Sequence, residues 1–309
     1  MKQILALFLL VIPFWGISQS DVLFFSYFKG NGEDGLHLAY STDGYQWNTL
    51  KNDKSFLQPE VGESVLMRDP CILYGPDKQF HMVWTSGWNE HGIGYASSKD
   101  LVTWSGQKYI EVMKHEPEAL NCWAPEITYD EAKNEYMIFW SSTIPGRFPE
   151  TDGTGDDKYN HRMYYVTTKD FEKYSETKLL YDRGFNVIDG SILKLDTDEF
   201  VLFLKDETRE PVAEKNIRWA KAKNIEGPYS KPSLPITGDY WAEGPTCIKI
   251  GEKYVVYFDK YTKKSMGAVE STDLENWTDI SDKISFTGGV RHGTVFSVPY
   301  KIARQLIEE

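Results

Sequence analysis

Beyond its first twenty residues this chain has no apolar run approaching the ~20 residues that a membrane-crossing helix requires. It is also short of basic charge: 34 Lys and Arg stand against 46 Asp and Glu, for a net charge of −12. A nucleic-acid-binding protein needs a basic face against phosphate, so that class is excluded. Cysteine is scarce. Cys71, Cys122 and Cys247 fit no metal-binding spacing, and an odd number cannot all pair internally. They read as small buried hydrophobes, with a disulfide between two of them open in an oxidising compartment. The 24 Gly and 14 Pro are scattered rather than clustered, and nothing points to a second domain.

What the chain has in quantity is aromatic side chains, 15% of residues with 10 Trp and 19 Tyr, a composition that suits many short strands joined by turns. At the N-terminus Lys2, an apolar stretch over 4–12 and the small residues Gly16-Ile17-Ser18 have the make-up of a secretory signal. Residues 1–18 are therefore expected to be a signal peptide, with export to the periplasm, cell surface or medium. Residues 19–309 are expected to form a single catalytic domain.

A strand followed by a polar Asp or Asn turn recurs five times, centred on Asp43, Asp100, Asp170, Asn224 and Asp273. In four units two alternating runs precede the turn: 69–73 with 80–84, 126–129 with 136–140, 191–195 with 200–203, and 246–250 with 254–258. Four strands per unit, repeating every ~50 residues, predict an all-β, five-bladed β-propeller with four-stranded blades. The last blade would take its inner strand from 293–299 and its next strands from 22–28 and 36–41, joining the two ends of the chain. The longest rim loop, 144–160, is a candidate pocket wall.

An acidic residue beside proline opens several of the inner runs. Arg68-Asp69-Pro70, Trp123-Ala124-Pro125-Glu126, Ile188-Asp189 and Glu243-Gly244-Pro245 occur in that order, one per blade. Carboxylates delivered from different blades into one axial pocket suit glycosidic hydrolysis, which needs one protonated carboxyl and one ionised carboxylate. Together these motifs resemble glycoside hydrolase family 43, over nearly the whole chain after the signal. The resemblance implies a five-bladed propeller enzyme, inverting and mostly exo-acting on arabinofuranosides, xylosides or related galactosides, with no cofactor required. Carried over position by position, Asp69 would be the general base and Glu243 the general acid. Glu126 falls where the family usually has an Asp that orients the acid and tunes its proton affinity, and the extra methylene displaces that carboxylate. Arg291-His292-Gly293 matches a last-blade motif whose His sits by a central water or a calcium ion. Arg68, Trp123, Asp189, Trp241, Arg291 and His292 are the expected substrate contacts.

Each motif alone has a blander meaning. An Asp-Pro before a strand is often only a turn, Trp beside an inner strand is often packing, and Asp189 could merely open a blade. Asp152, Asp156 and Asp157 lack a calcium-loop pattern and read as a solvated loop. Arg68, Arg147, Arg162, Arg209 and Arg291 all fall near the inferred active face, where they would balance the acids or hold an acidic sugar or phosphate. The expected activity is release of terminal α-L-arabinofuranose from plant-type glycans by a monomeric enzyme. A β-xylosidase or galactosidase, a glycoside phosphorylase and a non-catalytic glycan-binding propeller are the alternatives.

Overall fold

The computed structural model describes residues 21–308; the expected signal peptide lies outside them. The strands β1 (Val22–Tyr27), β2 (His37–Ser41) and β3 (Asn48–Thr49) begin a sheet that is completed only at the far end of the chain. A second sheet follows as β4 (Arg68–Tyr74), β5 (Phe80–Thr85), β6 (Ile93–Ser98) and β7 (Lys108–Ile110). The third is β8 (Trp123–Asp130), β9 (Glu135–Thr143), β10 (His161–Thr168) and β11 (Lys178–Tyr181). The fourth is β12 (Val187–Lys194), β13 (Phe200–Asp206) and β14 (Asn216–Ala222); the fifth is β15 (Glu243–Ile250), β16 (Lys253–Lys260), β17 (Ser265–Ser271) and β18 (Thr278–Asp279). Finally β19 (Thr294–Val298) pairs antiparallel with β1, and α1 (Tyr300–Ile307) ends the described chain. The five small antiparallel sheets form a five-bladed propeller whose first blade is shared between the two ends of the chain.

Burial on both faces explains why the second strands read as near-continuous apolar runs. In β5, Phe80, Met82 and Trp84 pack toward the first blade while Val83 packs toward the third. In β13, Val201 and Phe203 face the fifth blade, and Leu202 and Leu204 face the third. The result is five apolar clusters, one in each gap between neighbouring blades. Every blade depends on both neighbours for its core, so closing the ring through β1 and β19 removes an open edge.

The recurring turns are built alike. Asp100 Oδ1 accepts the amides of Val102 and Thr103, and Ser98 Oγ accepts that of Leu101, whose φ is 66°. Asp43 with Ser41, Asp170 with Thr168, and Asp273 with Ser271 repeat this arrangement. The fourth unit has Asn224 and, two residues earlier, Ala222, so it has no hydroxyl to complete the turn. This unit is also where the structure departs from the expected four strands. After β14 the chain carries Pro228, Pro232 and Pro235, which cannot donate to a ladder. Instead Ser230, Ser233 and Ile236 donate their amides to the carbonyls of Lys221, Trp219 and Ile217. The hydroxyls of Ser230, Ser233 and Thr237 accept from the amides of those same three residues, replacing strand carbonyls. Blade four therefore has three strands and a hydrogen-bonded, proline-rich edge.

Replacing Asp100 by Ala removes two amide acceptors from a turn that holds Leu101 in the core. The expected loss is about 1–2 kcal/mol, seen as a fall in melting temperature of about 2–4 °C per kcal/mol, while Asp100→Asn, which keeps the accepting oxygen, melts close to wild type.

Candidate active site

The inner strands β19, β4, β8, β12 and β15 all begin at the same end of the axis, and four of them begin with the same irregularity. Arg68, Trp123, Ile188 and Glu243 pair with their second strands; the next two residues do not, and pairing resumes at Cys71, Glu126, Ser191 and Thr246. The first skipped residue is left-handed in every case: Asp69 (φ 52°), Ala124 (47°), Asp189 (55°) and Gly244 (60°). In a non-glycine residue this conformation costs about 1 kcal/mol or more, and Asp tolerates it better than most. The kink turns these residues out of the ladder at the pocket mouth. In the first blade His292 occupies the matching place, two residues before Thr294 opens β19.

Neighbouring blades lock the kinks together. Thr85 Oγ1 donates to Asp69 Oδ2 at 2.8 Å and accepts the Ala124 amide at 2.8 Å. Asp189 Oδ2 accepts the Gly244 amide at 2.9 Å, which places it beside Glu243. His292 Nδ1 lies 3.4 Å from Asp69 Oδ1 and 4.0 Å from Asp189 Oδ2. A Cβ on Gly244 would meet the His292 ring at 2.4 Å, so this position admits only glycine. Asp69, Asp189, Glu243 and His292 thus meet on the axis although they come from four different blades.

Their electrostatics follow from burial and mutual proximity. Burial pushes the Asp189 carboxyl up to about 6, aided by the charges of Glu243 and Asp69 and opposed by His292 and Lys205. Burial alone would pull His292 down, but Asp189, Asp69, Glu243 and Glu126 together hold it above its ordinary range. Asp259, paired with Glu243 across the strands, is raised to about 6, first by burial and then by the Glu243 charge.

Glu126 lies at a different level from this ring, although its charge still acts on His292. It lies two residues beyond the left-handed position, at the level of Cys71, Ser191, Thr246 and Thr294, and accepts a hydrogen bond from Thr294 Oγ1 at 2.9 Å. It borders a cavity of about 350 Å³ whose other walls, including Leu73, Thr128 and Phe296, belong to the far part of the inner strands. Burial raises its carboxyl to about 7.

Arg68 is 9% exposed, lies 4.2 Å from the Trp88 ring and 4.8 Å from Phe28, and donates to Asn31 Oδ1 at 2.8 Å. Trp123 meets Trp88 edge-on and packs against Tyr159 and His161, an aromatic wall to which the 144–160 loop contributes. Across the mouth Trp241 lies beneath Arg209 at 4.9 Å and beside Tyr261. Not every arginine serves the pocket: Arg147 forks onto Glu116, and the fully buried Arg162 is held by Asp182, Asn160 and Thr151. The three cysteines are unpaired. The carboxylates facing His292 Nδ1 favour its protonated form, in which that nitrogen is not free to ligate a cation. Among the described residues no group of three or more His, Cys, Asp or Glu is arranged to hold a metal.

A family model described as "Probable glycosyl hydrolase domain", related to glycoside hydrolase family 43, matches residues 21–302. The chain belongs to that family. An α-L-arabinofuranosidase of Bifidobacterium longum subsp. longum is 23% identical over 72% of this chain, but this chain spans only 24% of that protein's length. The fold is similar to a thermostable family-43 glycoside hydrolase (TM-score 0.57, 17% identity, 73% of this chain and 78% of that one). It is also similar to an α-L-arabinofuranosidase from Lactobacillus brevis (TM-score 0.55, 15% identity, 75% of this chain and 90% of that one).

Several residues at this family site were not singled out by the sequence. Lys205 is the last residue but one of β13 and Glu207 follows that strand, Lys215 immediately precedes β14, and Asp259 is the last residue but one of β16. The one available signal was a charged Lys-Asp-Glu run breaking the apolar alternation of 200–204.

The raised carboxyl of Glu126 makes stability depend on pH with a definite sign. Between about 4.5 and 7 the folded protein keeps a proton that the unfolded chain has released, so raising the pH through this window lowers stability. Chemical denaturation at pH 5 and pH 8 should show Glu126→Gln losing less stability than wild type, by about 2–3 kcal/mol. Equal losses would mean that Glu126 stays ionised throughout.

Proposed function

We propose that this protein is an exo-acting, inverting glycosidase that releases a terminal sugar, α-L-arabinofuranose first among the candidates, from plant-type oligosaccharides. The observation that carries this reading is that Asp69 and Glu243, carried by different blades, both stand close enough to His292 and Asp189 for their charges to act on them. Inversion needs its two carboxyl groups about 6.5–9.5 Å apart, with room for a water between them. Asp69 serves as the general base: Thr85 holds one of its oxygens at 2.8 Å and His292 flanks the other. Glu243 serves as the general acid toward the leaving oxygen.

We assign the orienting role to Asp189 rather than Glu126. Asp189 occupies the same left-handed position as Asp69 and binds the amide next to Glu243, whereas Glu126 lies one level deeper, against Thr294. Arg68, Trp123, Trp241 and Arg291 line the mouth as substrate contacts, with aromatic faces suited to sugar rings. Secretion is inferred from the N-terminal residues alone. An arabinofuranosidase is preferred over a xylosidase or galactosidase because the curated relative carries that activity in its name.

The test uses one pentoside in two forms, an arabino-oligosaccharide and its p-nitrophenyl analogue. Glu243→Gln should lose about 10²–10⁴-fold on the oligosaccharide and far less on the aryl glycoside, whose leaving group needs little protonation. Asp69→Asn should lose activity on both. Turnover that requires inorganic phosphate, or a Glu243→Gln enzyme equally active on both substrates, would overturn the reading.

A further inference from the structure

Both oxygens of Glu243 are held by cations from different elements. Oε2 lies 3.3 Å from Lys205 Nζ, and Oε1 lies 3.4 Å from Arg291 Nη2. The two cations are not equivalent. The Arg291 side chain is 35% exposed and shares itself with Asp259, whereas that of Lys205 is only 4% exposed. A charge screened by water counts for less than one buried beside its partner.

Lys205 is itself fixed from behind. Glu207 Oε2 lies 2.6 Å from its ammonium, and the other oxygen of Glu207 is held at 2.6 Å by Lys215, which reaches Asp156 of the long loop at 2.5 Å. Burial disfavours the charged lysine, but Glu207, Glu243 and Asp189 outweigh that and hold it protonated. A buried ion pair of this kind is poor value for stability, since apolar side chains of similar volume often serve as well or better. Its placement against Glu243 calls for another reason.

We propose that Lys205 is a positioning residue for Glu243: anchored by Glu207, its buried ammonium pins Oε2 and so fixes how the carboxyl group is presented to the sugar. This inference rests on the reading of Glu243 as the general acid. The charged and titratable groups facing Glu243 come from every element around it. Lys205 and Glu207 lie at the end of β13, and Asp189 on β12. Asp259 and Tyr261 lie at the end of β16, and Arg291 and His292 just before β19. Of the cations in this set, Lys205 is the most deeply buried lysine or arginine in direct contact with the carboxylate.

The sign of the effect is fixed. Removing a positive charge makes the ionised carboxylate less favourable, so Glu243 retains its proton to higher pH. In Lys205→Met the alkaline limb of the kcat/KM profile should move up by about one pH unit. kcat should fall about tenfold or more while KM changes little. Lys205→Arg should restore the limb and most of kcat. Should Lys205→Met fail to fold, Lys205→Gln, which keeps a donor for Glu207, carries the same test.

A second readout needs no substrate. In protein labelled with ¹³C at glutamate carboxyls, the Glu243 resonance is identified by its loss in Glu243→Gln, and its titration is followed in wild type and Lys205→Met. An upward shift in the variant supports the inference even if Glu243→Gln proves active and the acid assignment falls. An unmoved titration and an unmoved limb, in a variant that melts like wild type, would overturn it and leave Lys205 a scaffold residue.

Discussion

At the mouth of four inner strands the backbone turns left-handed at a single residue, and that kink aims the chemistry of this molecule at the axis. Without it, Asp69 and Asp189 would alternate with their strand neighbours across the blade faces and pack into the gaps between blades. Side chains of one blade hold the kink of the next: Thr85, which anchors Asp69 within its own blade, also accepts the Ala124 amide, and Asp189 accepts the Gly244 amide. The site is therefore a property of the closed ring.

Closure in turn rests on the five apolar gaps and on the β1–β19 pairing that joins the chain ends. Each second strand is buried on both faces, so a blade detached from its neighbours would expose two apolar surfaces. The Asp turns at the periphery set the return of each blade, and where the hydroxyl and carboxylate are missing, after Ala222, the fourth strand is missing too. There serine hydroxyls take the place of strand carbonyls, so the edge amides of β14 keep their partners.

The electrostatics of the axis sort the carboxylates by depth and by company. Asp189 and Glu126 are both raised mainly by burial, yet they face different spaces, one beside Glu243 and the other over the far-side cavity. Glu243 sits between cations, with Lys205 backed by Glu207 and Lys215 and Arg291 backed by Asp259. Alternating charge from Asp156 inward ties the long loop to the pocket floor, so a stretch that reads in sequence as a solvated acidic loop contributes one anchored residue.

The blade count and the blade shared by the two chain ends were legible because period-two alternation and Asp turns are local signals; Asp69, Glu243, His292 and Arg291 stood out only through the short motifs at the strand starts. Repetition makes such signals reinforce one another. Blade four's missing strand was half legible, in its prolines and in Ala222, but only if the absence of a hydroxyl is read as information. The relative depth of Glu126 and Asp189 was not legible: both lie near a strand start, and a two-residue offset along an inner strand becomes a difference of level only once the strands are stacked around an axis. The charged run that holds Lys205 and Glu207 was visible, but not its partnership with Lys215 and Glu243, since a charged residue at a strand end ordinarily meets water. What the sequence determined by itself was the repeating unit and the carboxylates it carries, because both are written within a few residues of each other. Which carboxylates share a pocket, and which cations hold them, only the tertiary structure decided, because ring closure brings together side chains that lie up to 223 residues apart in the chain, from Asp69 to His292.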